Sequence, residues 1–136
     1  MNRLFIDTNV LVSAIVFDKN ELELIKKGLE ENEVFISEHI LEETTRVIIK
    51  KFPAHFDMFE KFIELSNITI IDKEVYCESI EDFDDIRDRY DAHVVACAEK
   101  MECNFIISGD KDLLEYEGTE IEVLRAPEYL KRVNKK

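Results

Sequence analysis

The chain has 136 residues, 46% of them hydrophobic and 36% charged, which suits one globular core and excludes wholesale disorder. A net charge of −13 excludes passive binding to nucleic acid or anionic membrane, both polyanions, unless cations stand between. Three Gly, two Pro and three Cys leave no Gly-rich phosphate loop, no linker-rich design and no paired-cysteine framework.

In chain order, Leu4-Phe5-Ile6 reads as a buried strand, ended by the cap and turn formers Asp7-Thr8-Asn9. Val10, Leu11, Ala14, Ile15 and Phe17 form a helical stripe. Leu22, Ile25 and Leu29 form a second, with Gly28 near its end. Val34-Phe35-Ile36-Ser37 is a strand, and Ser37 is placed to cap a helix that turns Ile40, Leu41, Thr44, Val47 and Ile48 inward. Pro53 bounds that helix. Phe56, Phe59, Phe62 and Ile63 stripe the next, and β-branched Ile68–Ile71 is a third strand. The acidic stretch from Glu78 to Asp88 reads as a solvated loop or helix face. Ala92, Val95, Ala96 and Ala98 suit a closely packed helix. Phe105–Ser108 is a strand running into Gly109-Asp110-Lys111-Asp112, and Ile121 to Leu124 form a last strand. Ala126-Pro127-Glu128 opens a short helix, followed by the basic tail Lys131–Lys136.

This alternation predicts a three-layer α/β/α fold around a central parallel sheet of four to five strands, a single domain over residues 1–136. No signal-peptide pattern opens the chain and no run approaches the roughly 18 apolar residues of a membrane span, so a soluble cytoplasmic protein is expected, with no membrane partner.

Sites in such sheets lie beyond the carboxyl ends of the strands. Asp7 and Asp110 follow strands. Glu43 and Asp91 sit near the starts of helices that follow strands. These four converge on one pocket, with Asp112 as a fifth candidate. Crowded carboxylates repel unless protonated or bridged by cations. Mg²⁺ or Mn²⁺, which take oxygen ligands, offset that repulsion and activate water toward a phosphodiester. Taken singly, each acid is better explained as a cap or surface group. Thr8, Asn9 and Ser108 are placed either to orient Asp7 or simply to shape turns. Arg46 and Lys111 are candidates for phosphate contact and equally for ordinary ion pairs. His39, His55 and His93 read as structural, and Cys97 and Cys103 have no partner that makes a thiol nucleophile.

Four segments in order resemble the PIN-domain family of metal-dependent ribonucleases, in particular the VapC-like toxins of toxin–antitoxin pairs. They are Leu4–Ser13 with its Asp-Thr-Asn signature, Ser37–Glu43, Asp88–Ala98, and Ile106–Leu114. The family usually has Thr where Ser108 stands and Leu where Thr44 follows Glu43. The resemblance implies that Asp7 and Asp91 are the principal metal ligands, completed by Glu43 and by Asp110 or Asp112. It implies endonucleolytic hydrolysis of single-stranded RNA, a homodimer and an antitoxin protein partner. Helical spacing favours Glu43 over Glu42, because Glu43 borders the buried stripe. Two rival readings are a PIN-like scaffold that binds RNA or protein with little catalysis, and a Mg²⁺-dependent phosphatase. The usual D-x-D of the latter is broken by Asn9.

Overall fold

Leu4, Phe5 and Ile6 have no exposed surface and form the middle of the sheet. A computed structural model describes residues 2–17 and 20–134. Of the basic tail, Lys135 and Lys136 lie outside the described residues. Among the described residues there are five strands: β1 (Arg3–Ile6), β2 (Glu33–Ser37), β3 (Thr69–Ile71), β4 (Phe105–Ile107) and β5 (Glu122–Leu124). They lie in the order β3-β2-β1-β4-β5, and every pairing is parallel. Leu4 stands opposite Val34 on one side and Phe105 on the other. Continuous apolar runs such as Phe105-Ile106-Ile107 are what a sheet covered on both faces requires.

The covering helices are α1 (Thr8–Val16), α2 (Asn20–Glu31), α3 (Glu38–Lys51), α4 (Phe56–Leu65), α5 (Lys73–Tyr76), α6 (Arg89–Lys100), α7 (Lys111–Glu115) and α8 (Ala126–Asn134). This is the expected three-layer α/β/α arrangement. Ser37 caps α3 as expected, its Oγ accepting from the Ile40 N–H at 3.0 Å. Gly28 lets α2 lie close to the sheet: a Cβ there would meet Leu4 Cδ1 and Val34 Cγ2 at 3.1 Å. None of the described helices is long and apolar enough to cross a membrane.

The structure departs from the sequence expectation at Phe17 and adds detail in two other places. Phe17 lies at the C-cap of α1 and is exposed, with its ring edge-on to Phe52, instead of joining the buried stripe. The segment after β4, to which the sequence assigns no element, forms α7, which Asp110 caps and Leu113 anchors in the core. The acidic stretch keeps its carboxylates exposed, yet it is a 3-10 helix (Cys77–Phe83) pinned to α6 by buried Tyr76, Phe83 and Ile86.

Candidate active site

The strand order turns about β1, which has β2 on one side and β4 on the other, and a crevice opens beyond the carboxyl ends of β1 and β4. Asp7 is the first residue past β1. Its N–H continues the ladder by donating to the Ile107 carbonyl at 3.0 Å, which pulls Asp7 against the end of β4. Its side chain is buried and held at both oxygens. Oδ1 accepts from the Thr8 N–H at 2.8 Å, capping α1, and Oδ2 accepts from Ser108 Oγ at 2.7 Å. Ser108 Oγ also accepts from the Asp110 N–H at 3.0 Å, and Asp110 Oδ1 accepts from the Asp112 N–H at 2.8 Å to start α7. Burial, and secondarily the charge of Asp110, push the Asp7 carboxyl above its usual range, against the two hydrogen bonds that favour its anion.

Asp91 comes from the first turn of α6 and is only 4% exposed. One carboxylate oxygen each of Asp91, Asp110 and Asp112 lies within 4.8 Å of the others. Burial, then the charges of Asp110, Asp88, Asp7 and Asp112, push the Asp91 carboxyl up to about 7. An all-oxygen donor set under this mutual repulsion fits a hard divalent cation of the Mg²⁺ or Mn²⁺ type and offers nothing to a soft one.

The structure thus brings Asp91, Asp110 and Asp112 into one group and sets Asp7 beside it, coupled through Ser108 and through charge. Glu43 is outside that group. It lies half-exposed on α3, ion-paired to Arg46 at 3.0 Å, with its charge felt at the Tyr90 hydroxyl. Glu42 points elsewhere, to Lys73 at 2.9 Å. Asn9 is exposed on α1, and no hydrogen bond joins it to Asp7 among the described residues. Lys111 is exposed at the start of α7. A cavity of about 320 Å³ opens beside the acids, lined by Asp85, Ile86, Arg87, Asp91, Asp112 and Tyr116 among others. A larger cleft of about 640 Å³ lies between α3 and α4 and contains none of the candidate acids.

Two contributors were missed by sequence reasoning. Asp88 caps α6, accepting from the Tyr90 N–H at 2.8 Å, and adds its charge to Asp91. An Asp ahead of a helical segment was signal enough to find it. Tyr90 hydrogen-bonds Thr8, and no local pattern announces a contact between residues so far apart. Of the histidines, His39 and His93 are tied into the packing between α3, α5 and α6. His93 is buried, with its Nε2 on Ser37 Oγ at 2.8 Å and its ring against His39, and burial pushes it down to about 3. Cys97 and Cys103 are buried thiols pushed up to about 12, which leaves them inert.

The fold is similar to that of VapBC2 from Rickettsia felis, solved bound to a promoter DNA fragment: TM-score 0.65 and 19% identity, over 90% of this chain and 97% of that one. It is similar to Mycobacterium tuberculosis VapC20, a sarcin–ricin loop cleaving toxin: TM-score 0.61 and 17% identity, over 87% of this chain and 98% of that one. FitAcB from Neisseria gonorrhoeae matches at TM-score 0.60 and 14% identity, over 90% and 97% of the two chains. No curated protein sequence matches the chain. At these identities the likeness is one of fold. The sequence itself matches the PIN domain model across residues 4–118, from the strand that delivers Asp7 to just past the helix that carries Asp112, and on that match the chain belongs to the PIN domain family.

Proposed function

We propose that the chain is an endoribonuclease that depends on Mg²⁺ or Mn²⁺ and serves as the toxin of a toxin–antitoxin pair. The observation that carries this reading is the Asp91, Asp110 and Asp112 group, three carboxylates within 4.8 Å whose repulsion only protons or cations relieve. Family membership and the likeness of fold to VapC20 and VapBC2 support it.

When bound, a divalent cation supplies acidity to water and positive charge for the scissile phosphate. Asp91, Asp110 and Asp112 would hold it, with Asp7 alongside. Ser108 and the Thr8 N–H fix the Asp7 carboxylate so that its oxygens keep one orientation. Water is the attacking species, and the products are a 5′-phosphate and a 3′-hydroxyl. In this reading Lys111, next to Asp110 in the chain, and Arg46, once released from Glu43, meet flanking phosphates. In a chain of net charge −13, cations at the site are what let a polyanion approach. An antitoxin protein partner and a homodimer belong to the same reading, which places the protein in the cytoplasm.

The test is to incubate the purified protein and Asp91→Asn with structured and unstructured RNAs in Mg²⁺, Mn²⁺ or EDTA, and to map the new ends. The wild type is expected to give 5′-phosphate fragments with metal only, and the variant none. Cleavage that survives chelation, or that the variant retains, rejects the assignment.

A further inference from the structure

We propose that Tyr90 is a positioning residue of the acidic site: its hydroxyl, bonded to Thr8, fixes Asp91 on α6 against Asp7 on α1 and thereby sets the affinity for divalent cations. This rests on the metal-dependent reading above and adds a residue to it.

Asp7 and Asp91 come from helices that are not each other's main packing partners. α1 packs on α2 and α3, whereas α6 packs chiefly on the acidic 3-10 segment and α5. Like charges at the two helix starts push them apart, and the charge of Asp7 is one reason the Asp91 carboxyl is raised. Among the described residues, the Thr8 Oγ1 to Tyr90 hydroxyl contact is the one side-chain hydrogen bond that joins α1 to α6. Each of its partners is the immediate neighbour of an acid: Thr8 follows Asp7 and Tyr90 precedes Asp91. Thr8 is further committed to Asp7, because its N–H donates to the Asp7 carboxylate at 2.8 Å.

The other end of the strut is also fixed. The Tyr90 ring stands edge-on to His93, centroids 4.7 Å apart. His93 is in turn anchored to Ser37 at the end of β2 and packed 4.4 Å from His39. Tyr90 therefore has little freedom to swing away, and its hydroxyl lies where the charges of Asp7, Glu43 and Asp91 are all felt. A neutral hydroxyl there, kept from ionising by burial first and by those carboxylates after, places a hydrogen-bonding group among acids from three separate elements.

Calorimetric titration with Mn²⁺ tests the proposal on wild type, Tyr90→Phe, Thr8→Val, Thr8→Ser and the Tyr90→Phe/Thr8→Val double variant. Urea unfolding of each in EDTA runs in parallel. Tyr90→Phe keeps the ring and loses only the hydroxyl. It is expected to raise the Mn²⁺ Kd about tenfold, the usual effect of removing a group that orients ligands. Thr8→Val should do the same, the double variant no more than either single, and Thr8→Ser should restore wild-type affinity. An unchanged Kd in Tyr90→Phe overturns the proposal even where its urea midpoint falls, since that is the signature of mere packing. Additive losses in the double variant also overturn it. A wild type that takes up no Mn²⁺ removes the metal reading, and this inference with it; the first titration reports that outcome separately.

Discussion

Asp91 shows how one side chain ties site to stability. Its carboxyl is raised in the folded state to about 7, against roughly 4 in an unfolded chain. The folded protein therefore holds this proton more tightly than the unfolded one. The associated stabilisation is fully present below the unfolded value and is lost as pH rises through the folded one. Without metal, the protein should become less stable between about pH 4 and pH 7, by on the order of 2–4 kcal/mol. Asp91→Asn should flatten that slope and be more stable than wild type at pH 7 in EDTA, because it removes a buried charge from a repelling group. Urea titrations across this range are the check, and a variant as pH-sensitive as wild type would contradict the account. Asp7 pushes the slope in the same direction. At this scale the sequence was informative about which acids come together at one end of the sheet, since Asp7 and Asp110 stand just past apolar strands and Asp91 near a helix start. It was silent on how close they come. That Asp112 joins Asp91 and Asp110 follows from how α7 starts, and Asp110 sets that by capping it.

Among the elements, apolar runs and long periodic stripes were legible and short helices were not. The strands β1, β2 and β4 were evident from their apolar runs, and α3 from Ser37 and the stripe behind it. By contrast α7 is only five residues with one buried side chain, too short to show a helical period. Phe17 matched the α1 stripe in spacing, but the helix ends at Val16 and the ring turns to solvent. Ser37 ties two elements together, because the oxygen that caps α3 also meets His93 Nε2 of α6. Ser37→Ala should cost about 1 kcal/mol for the lost cap. The buried imidazole it leaves unpaired brings the total to about 2 kcal/mol. Among the described residues the His93 Nδ1 makes no well-formed hydrogen bond that could compensate. Urea unfolding in EDTA measures this, and a loss under about 0.5 kcal/mol would show that the shared oxygen is dispensable.

For the molecule as a whole, net charge and metal uptake are linked. Divalent ions that bind only the folded chain raise its melting temperature by mass action, about 2.7 kcal/mol at a hundred times the Kd. The wild type should melt progressively higher in rising Mn²⁺, and Asp91→Asn should respond much less. Equal shifts in the two would mean that the ion acts by general screening of the −13 charge and not at the acids. The order of synthesis adds a further consequence. β1 is synthesised well before its neighbour β4, which begins only at Phe105, and the Ser108 bond to Asp7 spans 101 residues. The crevice therefore cannot close until the chain has been made past Phe105, and a chain cut short before residue 110 lacks Asp110 and Asp112 and cannot assemble the acidic group.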